Sequence, residues 1–226
     1  DNELDERGLG ASPALMESQA PESSLAPGAT LVLGGSGFLG AHVVMALGSS
    51  SVSASREAGP AEPGRFVRLD ARTPGDLDRV LAEVRPARIL DCAAYSSVAE
   101  AESQPDLARL LNVEVPRTLA RWCAKVGARL VHVSTDLVFG AEGPPPGGFR
   151  EEDPPGPVSE YGRSKVAGEA ALLDAFPAAL VVRLPLMYGD SFGRGRGASD
   201  SLLAALANGH RPLLLTDEWR TPIEVG

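Results

Sequence analysis

Residues 30 to 40 are Thr30-Leu31-Val32-Leu33-Gly34-Gly35-Ser36-Gly37-Phe38-Leu39-Gly40. The apolar run predicts a short strand over Thr30–Leu33, and the pattern after the glycines predicts a helix from Phe38 to Leu47. Gly34, Gly37 and Gly40 fit a Gly-x-x-Gly-x-x-Gly turn, which lets the backbone approach a pyrophosphate and directs the first amides of the helix toward it. An ordinary glycine loop is the alternative, but the strand before and the helix after favour a dinucleotide site.

The rest of the chain alternates predicted strands with predicted helices. This alternation favours an α/β fold with a doubly wound parallel sheet of the Rossmann type over residues 29–226, whereas the acidic segment 1–28 is predicted to be a disordered tail. The other predicted strands are Ser51–Ser55, Arg65–Leu69, Arg88–Cys92, Arg129–Ser134 and Ala179–Leu184, and the other helices are Pro74–Val84, Val115–Val126 and Tyr161–Phe176. Two Gly-rich or Pro-rich loops, 140–157 and 189–197, are expected at the sheet edge where ligands bind.

The charge and composition of the chain argue against some classes of partner. The net charge of -9 argues against a nucleic acid polymer and against an anionic membrane surface as partners, although local basic clusters are still allowed. No apolar run approaches the ~18 residues of a membrane span, and the start lacks a signal-peptide pattern. Cys92 and Cys123 lie in apolar contexts and are interpreted as buried thiols. We therefore expect a cytoplasmic protein.

The end of the second predicted strand bears on cofactor choice. An NAD site usually has an acid there for the ribose hydroxyls, whereas this chain has Ser53, Ser55 and Arg56. A guanidinium suits a 2′-phosphate, so NADP is predicted, with NAD as the alternative because Glu57 follows Arg56. Asp70, at the end of the third strand, is either an acceptor for the adenine amino group or a turn cap.

Tyr161-Gly162-Arg163-Ser164-Lys165 indicates carbonyl chemistry. Residues four apart share a helix face, so we expect the Lys165 ammonium beside the Tyr161 hydroxyl. A cation about 4 Å away would lower the phenol's pKa by two or three units from about 10 and make Tyr161 a proton donor to a carbonyl. A chance pairing of an aromatic and a lysine is the alternative. The three histidines, His42, His132 and His210, lack metal-ligand spacing, so no metal site and no catalytic histidine are predicted.

Several ordered motifs over residues 30 to 226 resemble the extended short-chain dehydrogenase/reductase family. Within it they resemble the dTDP-4-dehydrorhamnose reductase group and the related regulatory beta subunit of methionine adenosyltransferase. Besides the glycine turn and Tyr161 to Lys165, the motifs are Asp91-Cys92-Ala93-Ala94-Tyr95, Leu111-Asn112-Val113, Val133-Ser134-Thr135-Asp136-Leu137-Val138-Phe139 and Arg183-Leu184-Pro185-Leu186-Met187-Tyr188-Gly189.

The resemblance implies an NADP-dependent oxidoreductase that reduces the 4-keto group of a nucleotide-linked deoxy sugar. By the resemblance Thr135 binds the carbonyl, Tyr161 protonates it, and Lys165 holds the nicotinamide ribose. The expected cofactor-binding residues are Gly34, Gly37, Phe38, Leu39, Gly40, Arg56, Asp70, Ala71, Ala93, Ala94, Tyr95, Asn112, Ser134, Tyr161, Lys165 and Pro185. Simple strand-end capping by Ser134 and Thr135, and backbone satisfaction by Asn112, are the alternatives.

Arg194, Arg196 and Arg220 are interpreted either as solvated loop arginines or as ligands of the substrate diphosphate. By the resemblance Trp219 falls in a substrate-side loop, with a surface-packed Trp as the alternative. The segment Val98-Ala99-Glu100-Ala101-Glu102 keeps the last Glu of the group's Val-Asp-x-Ala-Glu but lacks its Asp. The family continues past Thr221-Pro222, so part of its substrate pocket is expected beyond Gly226. A second hypothesis is a non-catalytic NADP-binding regulatory subunit of a partner enzyme such as methionine adenosyltransferase. A homodimer is a further expected assembly.

Overall fold

Six short strands form one parallel sheet in the computed structural model. The structure describes residues 28–60, 63–140, 143–195, 197–212, 216 and 220–226. The sheet order is β3-β2-β1-β4-β5-β6, so the sheet grows in both directions from β1. This is the doubly wound arrangement that the sequence predicts. The strands are β1 Thr30–Leu33, β2 Ser51–Ser55, β3 Arg65–Arg68, β4 Arg88–Asp91, β5 Arg129–Thr135 and β6 Leu180–Leu184.

Helices connect the strands. Two predictions, Phe38–Leu47 and Val115–Val126, match the observed bounds, and the others differ by one or two residues at their ends. The helices are α1 Phe38–Leu47, α2 Asp76–Val84, α3 Val98–Ser103, α4 Pro105–Arg109, α5 Val115–Val126, α6 Glu160–Ala175 and α7 Ala198–Ala207. One π-helical turn, Leu110–Glu114, joins α4 to α5, and a separate parallel pair is formed by β7 Met187–Tyr188 and β8 Ile223–Glu224.

The central strands bury apolar residues in the core of the sheet. Leu31, Val32 and Leu33 of β1 are fully buried, as are Val52 of β2 and Ile89 of β4. Amphipathic helices supply the covering layer, with apolar residues of α2 and α5 packed into the same core. Burial of this kind fixes the register of the sheet and therefore the positions of the strand ends that form the site.

Part of the expected acidic tail and two predicted substrate-side residues lie outside the described residues. They are residues 1–27, Arg196 and Trp219.

Within the described segments no helix combines the length and the apolar character needed to cross a bilayer. Cys92 and Cys123 are free thiols, Cys123 buried in the core and Cys92 half-buried.

Candidate functional site

The glycine turn fits tightly between β1 and α1. A Cβ placed on Gly40 would lie 2.1 Å from the carbonyl oxygen of Gly34, so any larger residue would force the turn apart. Gly37 is the N-cap of α1 and supplies no side-chain cap, and the first turn contains no acidic residue. The first amides of α1, at Phe38 and Leu39, are thus left without an intrahelical partner at a site that favours an anion.

A cavity of about 680 Å³ opens at this edge of the sheet, at the carboxyl ends of the strands. It is lined by residues from the glycine turn and from the ends of β2, β3, β4, β5 and β6. The predicted site residues that line it are Gly34, Gly37, Phe38, Leu39, Arg56, Asp70, Ala71, Ala93, Ala94, Tyr95, Ser134, Thr135, Tyr161 and Pro185. Among the predicted residues that the structure describes, four do not line the cavity: Gly40, Asn112, Lys165 and Arg194.

At one end of the cavity Arg56, Asp70 and Arg72 lie together. The Asp70 carboxylate accepts from the Arg72 guanidinium at 2.8 and 2.6 Å and from the Arg72 amide at 3.1 Å. The hydrogen bond from Arg72, opposed by slight burial, lowers the pKa of Asp70 to about 2. Asp70 is therefore engaged by Arg72, which the sequence analysis did not single out, and the exposed Arg56 stands beside this pair.

At the other end the chain brings Thr135 and Tyr161 into the same cavity. Thr135 is the last residue of β5, and Tyr161 lies in the first turn of α6, which the Ser159 hydroxyl caps by accepting from the Gly162 amide at 3.1 Å. A Cβ at Gly162 would lie 2.4 Å from the carbonyl oxygen of Leu137, so glycine is what lets the helix start approach the strand end. Thr135 also caps the following 3₁₀ turn, accepting from the Leu137 amide at 3.2 Å. The strand-end capping predicted as an alternative for Thr135 thus coexists with its place in the cavity.

The predicted lowering of the phenol pKa is wrong. Burial raises the pKa of Tyr161 and a hydrogen bond with Thr135 opposes the rise, while the charge of Asp136 raises this pKa and that of Arg220 lowers it. A phenol with a raised pKa stays protonated near neutrality, which is the form that a proton donor requires.

Lys165 is directed into the protein rather than toward the cavity. Its ammonium donates to the Val133 carbonyl at 2.8 Å and to His132 Nε2 at 3.0 Å, and the residue is 1% exposed. Burial lowers the pKa of Lys165 to about 8, while Asp91 and Glu169 oppose that shift. The helical spacing predicted the shared face correctly but not the direction of the side chain.

Two other predicted residues hold protein groups. Asn112 accepts from the Tyr95 amide at 2.8 Å and donates to the Tyr95 carbonyl at 3.1 Å and to Ser164 at 2.9 Å. The backbone-satisfying alternative thus describes Asn112, which fixes Tyr95 beside the cavity. Ser134 lines the cavity, but its hydroxyl donates to Glu169, which pairs with Arg183 at 2.7 Å.

The loop arginines occupy different places. Arg220 lines the cavity and pairs with Asp136 at 2.9 Å, next to Thr135. Arg194 lies instead on the glycine turn, where it donates to the Ser36 carbonyl at 2.9 Å. The prediction that both contact a substrate diphosphate therefore has support in position for Arg220 alone, and Arg196 lies outside the described residues.

Sequence reasoning missed His132, which it set aside for want of metal spacing. His132 Nδ1 lies 2.7 Å from Asp91 Oδ2, and both side chains are fully buried. The available signal was the alternation along β5, because Leu130, His132 and Ser134 fall on one face and two of these three buried residues are polar.

The chain is similar to a known protein family and to several known proteins. The family described as RmlD substrate binding domain matches residues 28–226. The dTDP-4-dehydrorhamnose reductase of Streptomyces griseus is 41% identical over 160 residues, which are 70% of this chain and 50% of that protein. The chain thus spans about half the length of this relative.

Two further relatives represent the two functional hypotheses. The methionine adenosyltransferase 2 subunit beta of Xenopus laevis is 40% identical over 126 residues, covering 56% of this chain and 37% of that protein. The crystal structure of dTDP-4-dehydrorhamnose reductase from Bacillus anthracis in complex with NADP is 29% identical, with a TM-score of 0.64, and covers 80% of this chain and 60% of that one.

Proposed function

Because the chain belongs to the RmlD substrate-binding domain family of extended short-chain dehydrogenases/reductases, we propose that it is an NADP-dependent reductase of the 4-keto group of a nucleotide-linked deoxy sugar. One observation carries the proposal: Thr135, Tyr161 and the residues of the glycine turn line a single cavity. A dinucleotide that runs from the turn toward Thr135 would bring its reactive end to a proton donor.

The residues present fit an NADP molecule at both of its charged groups. The pyrophosphate suits the uncapped N-terminus of α1, whose first turn contains no acid to repel it. The 2′-phosphate suits the guanidinium groups of Arg56 and Arg72, which line the cavity beside Ser55. At the end of β2, where an NAD site usually has an acid, this chain has Ser55 and Arg56.

Reduction at this site needs one hydride and one proton. Bound NADPH supplies the hydride to the carbonyl carbon. The Tyr161 hydroxyl gives its proton to the carbonyl oxygen, which yields a secondary alcohol and a transient phenolate that solvent reprotonates. Thr135 holds the carbonyl oxygen by a hydrogen bond, and Arg220, which favours the charged phenolate, offsets the repulsion from Asp136.

The direct test is the oxidation of NADPH by the full chain with a dTDP-4-keto-6-deoxy sugar as substrate. Tyr161→Phe removes the proton donor but keeps the ring, so we expect turnover to fall by about 10²- to 10⁴-fold with NADPH affinity retained. Tyr188→Phe is the matched control, because Tyr188 lies exposed on β7 and does not line the cavity. Turnover by Tyr161→Phe at the wild-type rate would refute the assigned role.

A regulatory, non-catalytic NADP-binding subunit is the second candidate. Two observations favour it: the 40% identity to a methionine adenosyltransferase 2 subunit beta, and the direction of Lys165, whose ammonium contacts His132 and Val133 inside the protein. For a regulatory subunit we expect calorimetry to show NADPH binding, and we expect the NADPH oxidation assay to show no turnover of any 4-keto nucleotide sugar. The chain would also bind a methionine adenosyltransferase catalytic subunit in a pull-down, with Arg121→Ala on the exposed face of α5 as a first interface probe.

A further inference from the structure

A buried series of three polar side chains crosses from β4 through β5 to α6. Asp91 Oδ2 lies 2.7 Å from His132 Nδ1, and His132 Nε2 lies 3.0 Å from the Lys165 ammonium. All three residues are at most 1% exposed. The series exists because Asp91 and His132 are directly paired in the register of β4 and β5, and because α6 lays Lys165 over that pair.

The hydrogen bonds assign the protons along this series. An ammonium can only donate, so His132 Nε2 must be the acceptor, and the ring proton must then lie on Nδ1. His132 Nδ1 therefore donates to the Asp91 carboxylate, whose other oxygen accepts from the Ala93 amide at 3.2 Å. The result is a carboxylate, a neutral imidazole and an ammonium, each with partners.

A buried lysine ammonium needs nearby negative charge to stay protonated. An ammonium without nearby negative charge loses its proton in the interior, because desolvation disfavours the charged form. The titratable groups that face Lys165 are Asp91 and Cys92 from the end of β4, His132 from β5, and Glu169 one turn later on α6. Cys92 is a thiol whose pKa burial raises to about 12, so Asp91 and Glu169 are the charges that oppose deprotonation.

We propose that Asp91 and His132 are positioning residues, which keep the Lys165 ammonium charged and fixed beside the strand end that carries Thr135. Lys165 follows Tyr161 by one helical turn and bonds the Val133 carbonyl, two residues before Thr135, so its place determines how α6 presents Tyr161. The inference rests on the proposed function only for the consequence that turnover follows the charge on this lysine, through the placement of Tyr161.

The test that needs no cofactor is a ¹³C NMR pH titration of lysine-labelled protein. The chain has two lysines, and Lys125 lies exposed on α5 as an internal reference signal. Asp91→Asn keeps the shape and the hydrogen bond from His132 but removes the negative charge. Because an opposite charge raises the pKa of an ammonium, this variant should lower the pKa of Lys165 from about 8 by about one pH unit.

Two variants of His132 separate positioning from mere packing. His132→Gln keeps an acceptor near the place of Nε2, whereas His132→Leu removes it. We expect the Lys165 titration of His132→Gln to stay closer to wild type than that of His132→Leu. In ¹⁵N-histidine NMR of the wild type, the His132 ring should carry its proton on Nδ1, and the signal is assigned by its loss in His132→Gln.

Cys123→Ser is the control for a general loss of stability, because it alters a fully buried residue of α5 outside the series. It should lower the free energy of unfolding without moving the Lys165 titration. If Asp91→Asn lowers stability but leaves the Lys165 titration in place, or if the His132 proton lies on Nε2, the proposal is overturned.

The activity readout follows separately. Turnover by the wild type should decline as pH rises through 8, because Lys165 then loses the charge that holds it in place, and Asp91→Asn should move this decline to lower pH. A chain that shows the lysine shift but neither binds NADPH nor turns over a 4-keto nucleotide sugar would refute the proposed function and leave the positioning role standing. A chain that turns over substrate with the same pH decline in wild type and Asp91→Asn would refute the positioning role and leave the proposed function standing.

Discussion

Asp70 and Arg72 meet at the end of the cavity that β2 and β3 form, with side chains 26% and 47% exposed, whereas Asp91, His132 and Lys165 are buried together beneath α6. Exposed ion pairs contribute little net stability, since water and salt screen them. Buried charges, by contrast, are held by packing and are costly to leave without a partner. The exposed end is therefore suited to recognising a ligand's charge, and the buried end to fixing the geometry of Tyr161.

A second buried cluster sharpens this comparison. Glu169 accepts from Ser134 on β5 and pairs with Arg183 on β6, one turn along α6 from Lys165. Ser134 and Arg183 are themselves partners in the register of β5 and β6. The helix that carries Tyr161 is thus held to two neighbouring strands by polar contacts at Lys165 and at Glu169.

The largest effect on stability is expected from Glu169→Gln. The neutral amide keeps the shape but leaves the Arg183 guanidinium without its carboxylate, and the loss should be about 3 kcal/mol in the free energy of unfolding. Glu83→Gln is the matched control, because Glu83 pairs with Arg79 and Arg65 at the surface and should change stability by less than about 0.5 kcal/mol. Urea denaturation of both variants makes the measurement, and equal losses would contradict the contrast between buried and exposed pairs.

A smaller effect, on recognition rather than folding, is expected from Arg72→Ala. Removing this guanidinium should weaken NADPH binding about tenfold, or about 1.4 kcal/mol, since a charge-assisted contact to the 2′-phosphate is lost. NADH lacks the 2′-phosphate, so its binding should stay level. Calorimetry with both cofactors measures the ratio.

Arg121→Ala, exposed on α5 away from the cavity, is the control for loss of a surface charge. If Arg72→Ala lost affinity for NADPH and NADH equally, the prediction that Arg72 binds the 2′-phosphate would be contradicted.

The smallest effect is expected from Asp70→Asn, which should cost less than about 1 kcal/mol at neutral pH because solvent screens the pair with Arg72. The pKa of Asp70 is about 2 when folded, below its ordinary value, so its stabilising contribution is present above pH 4. The difference between wild type and variant should therefore shrink as pH falls from about 4 toward 2. Urea denaturation at a series of pH values would contradict this if the difference grew on acidification.

The sequence predicted the elements whose limits have local chemical signals. Helices α1 and α5 end at Gly48 and Gly127, both of which adopt positive φ, and their bounds match the prediction. Helices α3 and α4, with six and five residues, have too few turns for an amphipathic period to show and were not predicted. Helix α7 also escaped prediction within its Gly-rich surroundings.

In the candidate site, too, local motifs predicted some positions, whereas others depend on residues far away in the sequence. Thr135 and Tyr161 meet because a strand end and a helix start are local features, and the motifs locate both. The direction of Lys165 depends on His132, 33 residues earlier, and that of His132 on Asp91, 41 residues earlier. Only the pairing of β4 with β5 brings these together, and no local pattern encodes that register.

The central claim, that one cavity joins a dinucleotide turn to a proton donor, is tested most directly by a crystal structure of this chain with NADP. We predict the pyrophosphate at the amides of Phe38 and Leu39, the 2′-phosphate between Arg56 and Arg72, and the nicotinamide beside Thr135 and Tyr161. The nicotinamide must leave a substrate carbonyl within about 3.5 Å of its reactive carbon. A dinucleotide bound away from the glycine turn, or a nicotinamide directed into solvent, would contradict the account.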